Sequence, residues 1–105
     1  MTMKYLKVAS LDDIPRQGGR GFLCGAYSIA LVRTIDDQLF AIENSCPHRK
    51  GPLADGIVHG TKVTCPLHNW VFDLKNGHAE FPDEGQVKCF PIKIEHNDIY
   101  VRVEI

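Results

Sequence analysis

No apolar stretch in this chain approaches the roughly eighteen residues that a helix needs to span a bilayer, so no membrane anchor is expected. Nor is there a cluster of about five or more Lys and Arg. The formal net charge is −1, which excludes a nucleic-acid-binding polycation. The opening residues Met1-Thr2-Met3-Lys4-Tyr5 lack an apolar signal core, so a soluble, cytoplasmic protein is expected, in a compartment where disulfides are not the default. The dinucleotide-binding pattern G-x-G-x-x-G is missing as well: Gly18-Gly19-Arg20-Gly21 has neither the spacing nor a following helix. Repeats, low-complexity tracts and internal linkers are also lacking. At 105 residues the length suits one domain, 1–105, large enough for its own core.

Cysteine is scarce, and two of the four cysteines stand in matched segments, Cys46-Pro47-His48 and Cys65-Pro66-Leu67-His68. Each segment offers one thiolate and one imidazole, and 16 residues separate His48 from Cys65. Such a pair of loops can hold two metal atoms in unlike environments. Both thiolates can bind one iron of a [2Fe–2S] cluster while both imidazoles bind the other. Two other uses of these residues stand beside that one. Cys46 and Cys65 can form a disulfide, though the chain gives no sign of an oxidising compartment. All four residues can bind structural zinc, which takes Cys₂His₂ sets readily. Zinc patterns, however, usually pair Cys with Cys and His with His locally, whereas this chain places one of each in both loops. Cys24 and Cys89 lie far from the two segments and read as small buried hydrophobes.

Short strands and turns make up the rest. Tyr5-Leu6-Lys7-Val8 and Ser28–Arg33 are strand-length runs, and Asp36-Asp37 marks a turn that folds Leu39–Ile42 back onto the latter. Ile57-Val58 and Lys62–Thr64 flank a predicted tight turn at His59-Gly60-Thr61. Val71–Leu74 runs into Lys75-Asn76-Gly77, where Asn-Gly signals a hairpin. Pro91–Glu95 and Ile99–Val103 alternate around His96-Asn97-Asp98 as a terminal hairpin with one buried face. Only Leu11–Pro15 suggests a helical turn. The class is all-β and antiparallel. Both Cys/His segments then fall at strand ends, on loops spanning about 44–55 and 64–72, where a rigid scaffold can make them converge. Pro47 and Pro66, each directly after a Cys, fix φ there, and Gly51-Pro52 and Gly56 let the first loop turn tightly.

The span Cys46–His68 resembles a Rieske domain, and nearly the whole chain fits a small Rieske-type antiparallel β-sandwich or barrel. More narrowly, Cys46-Pro47-His48-Arg49-Lys50-Gly51-Pro52-Leu53, Gly56-Ile57-Val58 and Cys65-Pro66-Leu67-His68-Asn69-Trp70 resemble the small subunit of assimilatory NAD(P)H-dependent nitrite reductase. Phe72-Asp73-Leu74, Gly77 and Pro82-Asp83-Glu84-Gly85 continue that likeness. The free Rieske ferredoxins of aromatic-ring dioxygenase systems share size, loops and much of the spacing. The resemblance implies one [2Fe–2S] cluster, with Cys46 and Cys65 on an inner iron and His48 and His68 on an outer one. It implies a one-electron carrier that is not catalytic alone. Its partner would be a large subunit carrying FAD, sirohaem and a [4Fe–4S] cluster, where NAD(P)H is oxidised and nitrite becomes ammonia. On the ferredoxin alternative the partners would be a flavin reductase and a terminal oxygenase. A third class, a zinc- or cluster-stabilised interaction module without redox work, would yield a colourless protein if zinc were the metal.

The same resemblance bears on tuning. Rieske proteins of respiratory and photosynthetic cytochrome complexes add a disulfide between the loops and a Ser and a Tyr that donate hydrogen bonds toward the cluster sulfurs. The matching positions here are Gly51 and Leu67, then Trp70 and Phe72, so a low potential is expected. Arg49 and Lys50 can present positive charge to an acidic partner or stand as a plain solvated pair. Trp70 can screen a cluster from water or serve as an ordinary core aromatic. Phe81–Gly85 is placed as a third loop near the site. His59, His78 and His96 fall in predicted turns and read as exposed spectators.

Overall fold

The computed structural model describes residues 2–47, 51–67 and 69–104. Among the described residues, ten strands form three antiparallel sheets. Strands β1 (Met3–Ser10), β9 (Ile92–Glu95) and β10 (Asp98–Glu104) make the first, in the order β1-β10-β9. The second is β2-β3-β4-β8, from β2 (Gly18–Cys24), β3 (Tyr27–Arg33), β4 (Leu39–Glu43) and β8 (Cys89–Phe90). The third is β5-β6-β7, from β5 (Ile57–His59), β6 (Lys62–Thr64) and β7 (Val71–Asp73). Two 3₁₀ turns, Leu11–Asp13 and Leu53–Asp55, are the helical elements among the described residues. None of the described helices is long and apolar enough to cross a membrane.

The second sheet lies in the middle, with a core on each face. Successive side chains of a strand point to opposite faces. In β3, Ile29 and Leu31 accordingly join Ala9, Ile99, Val101 and Val103 on one side. Ala30 and Val32 join Cys46, Val58, Val63, Cys65 and Phe72 on the other. Ile42 and Ala41 of β4 divide between the two in the same way. Coverage on both faces is why Ile29–Val32 reads as an unbroken apolar run rather than an alternating one.

Most of the expected strands are present. β4 returns antiparallel on β3 through Asp37, whose φ of 65° is the left-handed residue of that turn. The terminal hairpin turns on His96 and Asn97, with φ of 49° and 72°, the two left-handed residues that a type I′ turn requires. Gly60, at φ 59°, makes the turn between β5 and β6. The helical turn expected at Leu11–Pro15 is the 3₁₀ turn Leu11–Asp13. After Asn76-Gly77 the chain does run back along β7, through a single bridge between Phe72 and Ala79. Two strands lie where none was expected. β8 is two residues long, and β2 begins with the glycine-rich segment Gly18-Gly19-Arg20-Gly21.

Candidate functional site

Cys46 and Cys65 both belong to the core shared by the second and third sheets, each with no exposed surface. The first loop leaves β4 at Glu43 and reaches β5 through the 3₁₀ turn Leu53–Asp55. It is drawn together by the Cys46 N–H, which donates to the Gly51 carbonyl (2.9 Å). The second loop joins β6 to β7. Here the Cys65 N–H donates to the Trp70 carbonyl (2.7 Å), and the Asn69 N–H donates back to the Cys65 carbonyl (3.3 Å). Asn69 adopts φ 59° to allow this, a conformation that Asn tolerates better than most residues.

The two loops touch. A Cβ placed on Gly51 would lie 3.0 Å from Cys65 Sγ and 3.1 Å from Leu67 Cγ, so the first loop rests directly on the second cysteine. Positions 51 and 67 face each other across the loops, as the resemblance to disulfide-bearing relatives requires, but this chain has no sulfur at either. No disulfide joins Cys46 to Cys65. Two buried thiols in one core, at the base of two loops in contact, suit a thiophilic metal centre. His48 and His68, the two expected imidazole ligands, lie outside the described residues, as do Arg49 and Lys50.

Around the thiols the wall is apolar. Phe72 is fully buried in the same core and lies 6.3 Å from Trp70, ring centre to ring centre. Trp70 is half-buried against that core. The third loop, 78–86, also belongs here. Its Gly85 approaches Pro47 and Trp70 at 3.3 and 3.7 Å, measured from a Cβ position on the glycine. The Ala79 N–H donates to the Gly85 carbonyl (3.0 Å), and the Val87 N–H donates to the Gly77 carbonyl (2.9 Å), closing the loop at both levels. Exposed apolar side chains flank the site: Leu67 on the second loop is 57% exposed and Phe81 on the third is 96% exposed.

The remaining polar candidates lie elsewhere. His59, His78 and His96 are exposed, with the His59 ring hydrogen-bonded to Thr64 Oγ1 at 2.7 Å. Cys24 is buried in the core of the first and second sheets, and burial pushes its thiol up from the ordinary value. Cys89 packs against the other core. Its thiol is raised by burial and by the charge of Asp73.

Comparison with known proteins is consistent with this arrangement. Residues 4–91 match the Rieske [2Fe-2S] domain. The ferredoxin component of the naphthalene 1,2-dioxygenase/salicylate 5-hydroxylase systems of a Ralstonia species is 32% identical over 105 residues, spanning 99% of this chain and 100% of that one. The ferredoxin of carbazole 1,9a-dioxygenase from Nocardioides aromaticivorans superposes with a TM-score of 0.85 at 27% identity, over 93% of this chain and 96% of its own. A protein assigned as the NADPH nitrite reductase small subunit superposes with a TM-score of 0.81 at 25% identity, over 96% and 98%.

Proposed function

The chain belongs to the Rieske [2Fe–2S] family, and from that premise we propose that it is the electron-transfer subunit of an assimilatory NAD(P)H-dependent nitrite reductase, with Cys46, His48, Cys65 and His68 as its cluster ligands. The family fixes the coarser function: a carrier of single electrons through one [2Fe–2S] cluster. When bound, that cluster supplies a one-electron couple. Cys46 and Cys65 provide two thiolates from a fully buried floor, and Phe72 and Trp70 surround that floor with apolar surface. Pro47, Pro66 and Leu67 present the exposed outer side of both loops to a partner.

The observation that carries the nitrite reductase reading is the assembly of one wall from residues far apart in sequence. Trp70 and the Pro82-Asp83-Glu84-Gly85 segment both belong to the likeness with that subunit, and the fold packs Gly85 against Trp70 and Pro47. The superposition at 25% identity on a chain assigned to that role agrees with it. A second reading, a free ferredoxin that serves a ring-hydroxylating dioxygenase, is favoured by the full-length identity of 32% to the Ralstonia protein. Purification of the native complex from its host separates the two. A partner that contains sirohaem and reduces nitrite is the expected outcome. A partner pair of flavin reductase and terminal oxygenase would overturn the first reading and establish the second.

A further inference from the structure

The first loop has a second fastening, outside the one at Cys46. Asn44 sits two residues before that cysteine, half-buried, at the point where β4 gives way to the loop. Its backbone N–H donates to the Ser28 carbonyl (3.0 Å) at the start of β3. Its side-chain Oδ1 accepts from the Ala54 N–H (2.8 Å). One carboxamide thus spans the loop from entry to exit, and the inner bond from Cys46 N–H to Gly51 lies within that span. Ala54 lies in the 3₁₀ turn Leu53–Asp55 and is 6% exposed. Its N–H comes from the first turn of a helical element, which leaves its donors without internal partners. Removing the acceptor would leave a buried donor unsatisfied.

Space for the carboxamide is provided by a different strand. A Cβ on Gly21 of β2 would lie 2.7 Å from Asn44 Nδ2, so the carboxamide would have to shift from its place. The glycine in mid-strand, otherwise unfavourable there, accordingly serves the Asn44 side chain. The central sheet is connected in this way to the loop that bears Cys46.

We infer that Asn44 is a positioning residue: through Ala54 it ties the entry of the first loop to its exit and so sets the placement of Cys46 toward the cluster. The inference rests on the ligand set proposed above. It is tested with holoprotein carrying Asn44→Ala, Asn44→Asp or Gly21→Ala. The readouts are iron and acid-labile sulfide per chain, the rate of cluster loss to a chelator, and the electron paramagnetic resonance spectrum of the reduced protein. Asn44→Ala should lose its cluster roughly five- to tenfold faster, the scale of one lost hydrogen bond with its donor left buried. Its g-values should shift, which loss of general stability alone would not cause. Asn44→Asp keeps an acceptor for Ala54 N–H and should retain the cluster at the wild-type rate. Gly21→Ala should reproduce the alanine phenotype, and combining the two should make it no worse. An Asn44→Ala protein with wild-type retention and spectrum would overturn the inference. So would an aspartate variant as defective as the alanine one, or additive losses in the double variant. If Asn44→Ala does not fold, wild-type behaviour of Asn44→Asp still decides in favour, and its failure decides against. Wild-type protein without iron and sulfide would sink the ligand reading instead, a distinct result.

Discussion

At the scale of single residues, charge explains the pairing of two thiolates with two imidazoles. Two thiolates, two sulfides and two ferric ions sum to about zero, so one added electron creates about one net negative charge. A four-thiolate site starts about two charges more negative and is harder to reduce. Replacing His48 or His68 by Cys should therefore lower the potential in any variant that still assembles, as voltammetry would show. Cys46→Ala or Cys65→Ala should abolish stable assembly, since metal binding and loop folding are coupled. Iron analysis of freshly purified protein checks this, and a normal content would remove that cysteine from the ligand set. Phe72 offers a finer test. It is fully buried in the same core as both cysteines and carries no hydroxyl, and neither Gly51 nor Leu67 supplies a disulfide. Without those features the wild-type potential should fall near the low end of the Rieske range, roughly −150 mV rather than +300 mV. Phe72→Tyr should raise it by some tens of millivolts, the equivalent of about 1 kcal/mol for one net hydrogen bond in a one-electron couple. Protein-film voltammetry at pH 7 measures both. A wild-type value well above zero would mean that backbone donors in the loops do the work of the missing hydroxyls.

Among the elements, the third loop is the one whose placement depends most on a single residue. Gly77 has φ 80°, and a Cβ there would collide with the Val87 carbonyl. That carbonyl belongs to the residue whose N–H closes the loop on Gly77 itself. Gly77→Ala meets both a disfavoured backbone and a backbone clash, and should cost at least about 1 kcal/mol. In a domain of this size such a loss lowers the melting temperature by roughly 4–8 °C, which calorimetry on holoprotein would detect. The Asn-Gly pair made that turn legible in the sequence, and the Cys/His segments made the two ligand loops legible, because turn chemistry and metal chemistry are local. β2 was not legible, since three of its first four residues are glycines that propensity assigns to a turn. Their reason is tertiary: at Gly19 a Cβ would lie 3.0 Å from the Ala54 carbonyl, and at Gly21 it would strike Asn44. For the same reason nothing in the sequence marks Asn44, whose partner is ten residues away across a loop. The contact of Gly85 with Pro47 and Trp70 was only loosely foreseen, as a third loop near the site.

For the molecule as a whole, the consequential feature is the division into two cores by the middle sheet. One core holds Cys46 and Cys65 together with Val58, Val63 and Phe72, so it includes both proposed thiolate ligands. The other holds Ile29, Leu31, Ile99, Val101 and Val103 and contains no proposed ligand. Sheet β5-β6-β7 has strands of only three residues each, which form a weak ladder by themselves. The β1-β10 ladder runs from Met3 paired with Glu104 to Ser10 paired with Asp98 and needs no metal to form. Iron removal should therefore act on one side of the molecule. Amide exchange in protein stripped anaerobically with a chelator should accelerate at Val63 and Phe72, while Val101 and Val103 keep their protection, since local opening follows the least supported unit. Reconstitution with iron and sulfide should restore the slow exchange at Val63 and Phe72. Equal acceleration in both cores would show that the middle sheet couples them into one cooperative unit, and the cluster would then support the entire fold rather than the loops that present it.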